Sequence, residues 1–432
     1  MKKTGVSRRK FLGQTGSLAA ALPLAAALPA AVEVASPAKV QAATSTSSQA
    51  QIPMRNLPVR QRGATVLNAS DFGLPTDGVS DCSQAINAAI NALPADGGTV
   101  KIPYHNTSGK YCVYMVDTSA NSILAGSRVH HFGIQLRSNM LLQLYPGVQL
   151  VAMPNNLDRA YVIFAQGLND VEIADGAIIG ERYGHTPSGK GTDEWGMGLE
   201  LLATTGITVR DMSISNCNGD GICVGGVTDL VVSNVICTGN RRQAMSLTSV
   251  SGAQVYDSEF SYTYGTAPQD GIDIEPDNTG VAENIVIDNC LFRGNTAAGL
   301  GLNGMHGATI RNLTVTNCTM CYNGSSGFYS YQSSQGIVDG GTLYGNAIYQ
   351  NKYVGLYLDH NTTNYTVGGD SEDDPRNNSF ANNLASRGLV YPTPNKRSQQ
   401  GAAGVSTDIG LSTAARQPEA NDLINWNNFY SQ

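Results

Sequence analysis

The stretch Gly271-Ile272-Asp273-Ile274-Glu275 returns in altered form every 28 residues toward the C-terminus of the chain. The later copies are 299–303, 327–331 and 355–359, and earlier copies at shorter steps begin at Gly198, Gly221 and Ala244. A fixed period of this length indicates one structural unit stacked on copies of itself, because a single unit cannot bury its own apolar side. In most copies the first and third residues after the glycine are apolar. This alternation predicts a strand with those two side chains in a core and the others facing water.

These strands predict a parallel β-helix. The copies run in one direction, short corners rich in Asn, Gly, Ser and Thr join them, and no intervening segment suits a crossover helix. A leucine-rich horseshoe is disfavoured because its leucine spacing is missing, and because runs such as 284–287 and 308–315 supply a second β-branched strand per coil. The asparagine column Asn295, Asn323 and Asn351 suits left-handed corners whose amides stack from coil to coil. We expect an all-β, right-handed parallel β-helix over residues 106–385.

A short helix is expected in front of the first coils, within a cap formed by residues 63–105. Asp81 and Gln84 have the spacing of a capping box. Apolar residues follow at helical spacing: Ile86, Ala89, Ile90 and Leu93. A helix here would cover the open end of the coil and protect its edge from pairing with other chains.

The first 42 residues have the features of a twin-arginine export signal. A basic start is followed by Ser7-Arg8-Arg9-Lys10, an Ala/Leu-rich apolar run, and Val40-Gln41-Ala42 as a cleavage site of small residues. The alternative is an amphipathic first helix of the fold. We expect the twin-arginine machinery as the export partner, and the periplasm or the extracellular space as the destination. Residues 43–62 are expected to form a flexible linker and residues 386–432 a polar tail.

The charge of the chain excludes two classes of partner. The chain carries 27 Lys+Arg and 34 Asp+Glu, a formal charge of −7, and loss of residues 1–42 leaves 21 Lys+Arg and 33 Asp+Glu, or −12. Such a chain has no basic field to attract nucleic acid or an anionic membrane, so neither is an expected partner of the mature protein. Local arginines remain able to hold a sugar acid, and the fold is compatible with oligomers.

The eight cysteines are interpreted as reduced, because proteins exported by the twin-arginine route generally fold where thiols stay reduced. Cys290 and Cys318 stand 28 residues apart at equivalent positions of two coils, which indicates small apolar side chains stacked in the core. A bridge between Cys82 and Cys112 stays open as an alternative. No spacing of Cys or His in the sequence matches a zinc site.

Four N-terminal segments carry a resemblance to a known superfamily: Asp71-Phe72-Gly73, Asp77-Gly78, Gln84-Ala85-Ile86, and Gly97-Gly98-Thr99-Val100 with Pro103. They resemble the N-terminal signature of the pectate-lyase-like superfamily, which includes polygalacturonase-type hydrolases, rhamnogalacturonases, uronate epimerases and phage tailspike depolymerases. The resemblance extends from residue 63 to about residue 385 and implies a β-helix that acts on polysaccharide. It does not fix the reaction, because the superfamily contains hydrolases, lyases and epimerases.

The catalytic motifs of polygalacturonase-type hydrolases are matched only in part. That group carries Asn-Thr-Asp, a paired Asp-Asp one coil later, Gly-His-Gly and Arg-Ile-Lys. Here Asn218-Gly219-Asp220-Gly221 and Asn303-Gly304-Met305-His306-Gly307 echo that pattern, but Arg241-Arg242-Gln243-Ala244 follows one coil after the first segment. The Asp-Pro-His motif of alginate epimerases is also missing from the sequence. No catalytic role therefore carries over residue by residue.

Aligned coils bring four acidic residues toward one face, and these are the predicted catalytic residues: Asp220, Asp270, Asp273 and Glu275. Strand and coil spacings place Asp273 roughly 6.7 Å from Glu275, and Asp220 roughly 9.6 Å from Asp270. Inverting glycoside hydrolysis requires two carboxyls about 6.5–9.5 Å apart, one protonated and one charged. Crowding separates the pKa values of neighbouring acids, which keeps one of them protonated. The alternative is that all four are turn residues or solvated strand positions.

Predicted substrate-binding residues flank these acids. They are Arg241, Arg242, Lys190, Glu194, Trp195, Asn303 and His306. The two arginines lie at the corner between the acids and suit a sugar carboxylate. The loop that contains Trp195 would form one wall of a groove, where the indole could stack on a sugar ring. Four tyrosines either continue this groove or form a plain exposed ladder: Tyr329, Tyr331, Tyr353 and Tyr357.

A second chemistry fits the same residues. In β-elimination the uronate carboxylate is neutralised, often by Ca²⁺ bound to clustered Asp and Glu, and a base removes the proton at C5. Asp220, Asp273 and Glu275 would then hold the calcium, with Arg241 or Arg242 near the proton. An arginine base is chemically unfavourable because its pKa lies above about 12.

The resulting interpretation is an exported enzyme that cleaves glycosidic bonds in a polysaccharide, expected to contain uronate, by carboxyl acid/base hydrolysis. That reaction requires no cofactor, whereas a lyase would use calcium. The alternatives, in decreasing order, are a polysaccharide lyase, a uronate C5-epimerase and a non-catalytic polysaccharide-binding solenoid.

Overall fold

Three stacks of short parallel strands wrap one apolar interior in the computed structural model of the chain. The structure describes residues 55–105, 111–125, 127–305, 307–332, 336–358, 362–368, 376, 378–381, 383 and 405–407. Within the compact unit Leu57–Gln432, strands pair with their counterparts one coil earlier and one coil later. This is a parallel β-helix, as predicted, but a full coil supplies three strands rather than the two that the sequence indicates.

The first sheet carries the repeated glycine stretch. It is parallel except at two pairings, where Asn121–Ala125 and Val405–Thr407 run antiparallel to their neighbours. Its strands, in order, are Asn121–Ala125, Arg128–Gln135, Arg159–Gln166, Trp195–Leu202, the first parts of Ile222–Thr238 and Met245–Tyr256, then Ile272–Ile274, Leu300–Gly304, Phe328–Gln332, Leu356–Leu358 and Val405–Thr407.

The second and third sheets close each coil. Three long strands turn corners and so pair in more than one sheet: Thr205–Ser215, Ile222–Thr238 and Met245–Tyr256. The second sheet also contains Val66–Asn68, Gly98–Ile102, Met140–Leu144, Asn169–Ala174, Val281–Asp288, Thr309–Thr316, Ile337–Tyr344 and Thr363–Val367. The third also contains Cys112–Val116, Val148–Ala152, Ala177–Ile179, Glu259–Ser261, Leu291–Arg293, Thr319–Cys321, Ala347–Tyr349 and Ser379–Ala381.

Apolar side chains point inward along the first sheet in the predicted alternation. Ile272 and Ile274 are fully buried, and so are Leu300 and Leu302, with which they pair on the next coil. Because equivalent residues stack coil on coil, the interior is a continuous column of apolar side chains. Each fully buried Ile or Leu contributes about 1.5–3 kcal/mol to the free energy of unfolding.

The glycine column exists because neighbouring coils approach there too closely for a side chain. A Cβ on Gly271 would lie 2.5 Å from the carbonyl oxygen of Gly299, and a Cβ on Gly299 would lie 2.7 Å from that of Gly327. The same contact for Gly327 and the oxygen of Gly355 would be 2.8 Å. Carbon and oxygen cannot approach this closely without repulsion. The repeat that identifies the fold is therefore a steric requirement of coil stacking.

The asparagine column forms a hydrogen-bonded ladder at one corner. Asn295 Nδ2 donates to Asn323 Oδ1 at 3.0 Å, Asn323 Nδ2 to Asn351 Oδ1 at 2.9 Å, and Asn351 Nδ2 to Asn383 Oδ1 at 2.8 Å. The predicted amide stacking is thus confirmed. The predicted left-handed backbone is wrong, because positive φ belongs to the residue before each asparagine, as at Tyr322. The asparagines instead satisfy backbone groups that a corner leaves without a strand partner.

A helix over Ser83–Asn91 follows a short 3₁₀ helix at Ala69–Phe72 and provides the predicted cap. Its apolar stripe is buried as expected: Ile86, Ala89 and Ile90. The capping box is not formed. Asp81 Oδ1 instead accepts the backbone N–H of Ser83 at 2.9 Å and that of Asp117 at 2.8 Å, which ties the start of the helix to the end of a third-sheet strand.

The helix also covers polar edge groups of the first sheet. Asn87 Nδ2 donates to the carbonyl of Gly133 at 2.8 Å, and Asn87 Oδ1 accepts the N–H of Gln135 at 2.9 Å. Both partners lie in the early strand Arg128–Gln135. One side chain therefore satisfies backbone groups that would otherwise be open to pairing with another chain.

All eight cysteines are free and buried. Cys82 and Cys112 are therefore not bridged in the structure. Cys290 and Cys318 lie in the apolar core with the expected coil-to-coil contact, the Cys290 N–H pointing to Cys318 Sγ at 3.4 Å.

The predicted export signal, residues 1–42, lies outside the described residues, as does most of the predicted tail 386–432. Near the end of the predicted linker 43–62, Arg60 is buried against the second sheet. Its Nε donates to Thr208 Oγ1 at 2.9 Å and its Nη2 to the carbonyl of Ile207 at 3.1 Å. The chain is thus fixed at Arg60. None of the helices in the described part is long and apolar enough to cross a membrane.

Candidate active site on the first sheet

The four predicted catalytic acids lie together on the first sheet and are buried. Asp220 and Asp270 occupy the corner just before their strands, Asp273 lies within Ile272–Ile274, and Glu275 follows that strand. Their exposed fractions are 0% for Asp220 and Asp273, 5% for Asp270 and 8% for Glu275. The expectation that these positions face water is wrong, because neighbouring polar side chains and each other's carboxyls enclose them.

Arg242 lies at the centre of this group. Its Nη1 donates to Asp220 Oδ2 at 2.9 Å and its Nη2 to Glu275 Oε1 at 2.7 Å, which joins acids from two coils through one guanidinium. Burial alone would lower the pKa of Arg242, but the charges of Asp220, Glu275 and Asp273 outweigh it and hold that pKa well above its usual range. Arg242 is therefore a permanent buried cation.

Neutral side chains join Asp273 to this centre and add a further contact to Asp220. Gln243 Nε2 donates to Asp273, and Gln243 Oε1 accepts a hydrogen bond from Arg242 at 2.6 Å. Ser246 Oγ donates to Asp220 Oδ2 at 2.5 Å. From the next coil, Asn303 Nδ2 donates to Asp273 Oδ1 at 2.6 Å, which places this predicted binding residue inside the network. The acids are thus held in fixed positions by groups that remain neutral.

Asp270 and Asp273 lean toward the same spot on the next coil. A Cβ on Gly301 would lie 2.8 Å from Asp270 Oδ2 and 3.6 Å from Asp273 Oδ1. Asp273 pairs with Gly301 in the sheet register, and Asp270 is anchored by the N–H of Ala298, which donates to its Oδ1 at 2.6 Å. Glycine at position 301 therefore leaves room for a pair of carboxyl groups.

Burial makes these carboxyls retain protons. Burial raises the pKa of Asp270 to about 7, and the charge of Glu275 adds to the rise. For Asp273, burial and the charges of Glu275 and Asp270 raise the pKa well above its usual range. Burial also raises the pKa of Asp220, although Arg242 opposes the shift.

One buried guanidinium cannot neutralise four buried carboxylates. An unpaired buried charge costs several kcal/mol, so the excess acids bind protons instead of staying ionised. Near neutral pH the site therefore combines protonated carboxyl groups, at Asp270 and Asp273, with carboxyl groups held against Arg242. Pairs of acids whose environments separate their protonation states are typical of acid/base catalysis.

Glu200 is a fifth buried acid that the predicted site omits. It stacks in register with Cys223, Ser246 and Asp273 along successive coils. Burial raises its pKa to about 8, and the charge of Asp220 adds to the rise. Its place in the same column of aligned positions is the sequence signal that could have found it.

Trp195 borders the same wall. Its ring lies 4.3 Å from the Arg159 guanidinium carbon and 5.5 Å from that of Arg242. The indole is half-buried and lies against these two cations. Trp195 is therefore next to the acids, as predicted.

Three other predicted binding residues belong to, or contact, the loop before Trp195–Leu202 and have no contact with the four acids among the described hydrogen bonds and ion pairs. Arg241 Nη1 donates to the backbone carbonyl of Asp193 at 2.7 Å and to that of Asn218 at 3.2 Å, so it fastens the neighbouring loop. Lys190 is exposed and Glu194 half-buried in that loop. His306 lies outside the described residues.

The predicted calcium ligands do not fit an ion in this arrangement. Asp220 and Glu275 direct oxygens at Arg242, so the guanidinium holds the place between them that a cation would need. Within the described ranges, no group of three or more His, Cys, Asp or Glu side chains has the geometry to hold a metal ion.

A comparison with protein families supports the fold assignment. The family described as right handed beta helix region matches residues 197–371, which include all four acids and Arg242. The chain therefore has the right-handed parallel β-helix fold that the resemblance to the pectate-lyase-like superfamily implies.

Similar proteins differ in what they are reported to be. An uncharacterized protein, YclG of Bacillus subtilis (strain 168), is 28% identical over 255 residues, which are 54% of this chain and 42% of that protein. The chain spans less than half the length of the curated relatives it matches. The A-module of a mannuronan C-5 epimerase from Azotobacter vinelandii is 16% identical, with a TM-score of 0.48 over 73% of this chain and 94% of that module. PfbA, a surface adhesin of Streptococcus pneumoniae, is 13% identical, with a TM-score of 0.43 over 79% of this chain and 100% of that chain.

Proposed function

We propose that this β-helix is an exported carbohydrate-active enzyme that hydrolyses glycosidic bonds with the carboxyl groups of its first sheet. The observation that carries the proposal is the pair Asp270 and Asp273, buried together above Gly301 with raised pKa values, next to Glu275 held by Arg242. Burying this many ionisable groups lowers stability, so their joint placement favours a chemical role over a structural one. Export is proposed from the twin-arginine sequence Ser7-Arg8-Arg9-Lys10.

Asp270 is the proposed general acid. Its pKa of about 7 lets it hold a proton near neutral pH and release it to the oxygen of the leaving sugar as the glycosidic bond breaks. Asp270 is 5% exposed, whereas Asp273 is fully buried. Asp273 therefore acts as a positioning residue that keeps its own proton beside Asp270.

Glu275 is the proposed general base. The Arg242 guanidinium lies 2.7 Å from its Oε1 and stabilises a carboxylate there. This carboxylate removes a proton from water, and the resulting hydroxide attacks the anomeric carbon while Asp270 protonates the departing oxygen. Asp220 binds the other side of Arg242, so it orients the cation and does not itself take part in proton transfer.

The arginine contacts favour a neutral sugar at the cleavage point over the uronate expected from the sequence. Arg242 is engaged by Asp220 and Glu275, and Arg241 by backbone carbonyls. A uronate carboxylate would have to compete for these guanidinium groups and would enter a wall rich in acids. The same contacts make β-elimination less well supported, since that reaction needs a group that neutralises the uronate and a base other than a permanently protonated arginine.

Site variants and product analysis test the proposal. Purified protein is incubated with a panel of neutral and acidic polysaccharides, and new reducing ends are measured together with the ultraviolet absorbance of unsaturated products. Asp270→Asn and Glu275→Gln are each expected to lower kcat by about 10²–10⁴-fold. Asp277→Asn is the matched control, because Asp277 is an exposed acid two residues beyond Glu275.

Three results would contradict the hydrolase. These are unsaturated products, wild-type rates in both site variants, and binding of polysaccharide with no cleavage of any member of the panel. The last would identify a non-catalytic binding solenoid.

A further inference from the structure

A column of tyrosines continues from the carboxyl pair toward the C-terminal coils. In the register of the first sheet, Asp273 pairs with Gly301, Gly301 with Tyr329, and Tyr329 with Tyr357. Successive coils are about 4.8 Å apart, so Tyr329 begins about 9.6 Å beyond Asp273. The intervening residue is the glycine over which Asp270 and Asp273 lean. The carboxyl pair and Tyr329 are therefore separated by a single residue, Gly301, that has no side chain.

A second tyrosine extends this surface sideways. Tyr331 pairs with Asn303, the residue that donates to Asp273 Oδ1. The Tyr329 and Tyr331 rings are 6.5 Å apart between centroids and 4° from parallel. The Tyr329 and Tyr357 rings are 5.4 Å apart and 14° from parallel. Three nearly parallel rings thus form one continuous aromatic surface, called here the tyrosine surface.

The tyrosine surface is exposed to solvent, whereas the acids are buried. Tyr329, Tyr331 and Tyr357 are each half-exposed, whereas the four acids are buried with at most 8% exposure. An exposed set of aromatic rings in contact with a polar site is typical of a binding surface for an extended ligand. It also lies on the side of the acids toward which Asp270 directs its Oδ2, next to Gly301.

The chemistry of these rings suits sugar units without charge. A pyranose has a face of C–H bonds that packs on the electron-rich face of an aromatic ring, and its hydroxyls can form hydrogen bonds with the phenol oxygens. Tyrosine carries no charge near neutral pH, so the tyrosine surface has no positive group to balance the negative charge of a uronate. The net negative charge of the chain also disfavours a uronate.

We propose that the tyrosine surface binds the neutral sugar units of the substrate that extend from the cleavage point toward the C-terminal coils. The direction of the saccharide, and its connection to Asp270, rest on the proposed function; binding by the tyrosines does not. The saccharide then runs across the strands of the first sheet, from the acids over Gly301 to Tyr329 and Tyr357.

Binding is tested without relying on turnover. Affinity electrophoresis and calorimetry are performed on the full chain with neutral polysaccharides (a mixed-linkage β-glucan, a mannan and an α-glucan) and with polygalacturonate as the acidic probe. Tyr329→Ala and Tyr357→Ala are each expected to weaken binding of a neutral probe by roughly 3- to 10-fold, and the double variant by more. Tyr322→Ala is the control, since Tyr322 is 56% exposed but lies beyond a third-sheet strand.

Phenylalanine variants separate stacking from folding. Tyr329→Phe keeps the ring and should keep most of the affinity, whereas a variant that unfolds would lose it together with its thermal transition. In a cleavage assay the alanine variants should raise KM on long substrates more than they lower kcat, and they should leave short substrates less affected.

The outcomes of these experiments test the tyrosine surface and the hydrolase separately. Unchanged affinity in the double alanine variant, equal loss in Tyr322→Ala, stronger binding of polygalacturonate than of every neutral probe, or no binding of any probe would overturn the tyrosine surface. If binding depends on the tyrosines but nothing is cleaved, the tyrosine surface stands and the hydrolase fails. If Asp270→Asn abolishes cleavage while the tyrosine variants bind normally, the hydrolase stands and the tyrosine surface fails.

Discussion

Gly301→Ala is expected to disturb the proposed catalytic acids while preserving the fold. The φ of Gly301 is not in the left-handed region, so alanine fits the backbone of its strand. The new Cβ would, however, lie 2.8 Å from Asp270 Oδ2. Ordinary contact needs about 3.4 Å or more, so the carboxyl must move by roughly half an ångström or more.

The size of the effect follows from what holds Asp270. Its Oδ1 accepts the N–H of Ala298 at 2.6 Å, and a displaced carboxyl stretches or loses that bond. A weakened hydrogen bond to a charged or strongly polar group costs about 1.5–3 kcal/mol, and misplacing a reacting group by about 1 Å can cost 10²-fold in rate. We therefore expect kcat to fall by about 10- to 100-fold.

A matched control lies on the same strand. A Cβ on Gly304 would lie 2.8 Å from Val338 Cγ2, the same distance as the clash at Gly301, but the atom it meets belongs to a methyl group and not to a carboxyl. Gly304→Ala should lower the melting temperature about as much as Gly301→Ala and leave kcat within a few-fold of wild type. The assay is the release of reducing ends under saturating substrate, with thermal unfolding measured in parallel. Equal rates in the two variants would refute the reasoning.

Three further predictions concern stability and pH. Because the pKa of Asp270 is raised from 3.8 to about 7 in the folded state, the folded protein holds this proton to higher pH, and its stability falls as pH rises through that window. Asp270→Asn should therefore match the wild type near pH 4 and melt at a higher temperature at pH 8, whereas a variant less stable at both pH values would contradict this. Arg242→Gln leaves Asp220 and Glu275 without their cation and should cost about 3–5 kcal/mol in denaturant unfolding at pH 7; a loss below about 1 kcal/mol would show that the pair is not desolvated. Asn323→Ala removes a buried amide bonded to two coils and should cost about 2–4 kcal/mol with no change in kcat/KM, and a neutral result would mean that the ladder is dispensable.

The fold could be predicted from the sequence because the same steric constraint acts on several successive coils. One steric requirement, the close approach of backbones at Gly271, recurs at Gly299 and Gly327 and so leaves a period in the sequence. The third sheet left no such signal. Glu259–Ser261 has a single apolar residue, whereas Ile272–Ile274 has one at each end, so a coil of three strands was predicted as a coil of two.

The sequence predicted which acids lie together in the candidate site, but not that they are buried. Register alone placed Asp220, Asp270, Asp273 and Glu275 on one wall, since a β-helix converts a sequence period into proximity. Burial depends on side chains whose direction the period does not determine. Arg241 and its neighbour Arg242 are adjacent in sequence, yet one fastens a loop and the other lies among the acids.

The asparagine ladder and the glycine column make neighbouring coils interchangeable at their contacts, so the β-helix can be lengthened by whole coils. Both interfaces of a 28-residue turn present the same amide and the same bare backbone, so duplicating one turn near Asn323 would recreate the junction on either side without new chemistry. Lengthening by such duplication would add wall in steps of about 4.8 Å. Copying the gene segment that encodes one such turn would therefore lengthen the first sheet without changing the acids around Arg242.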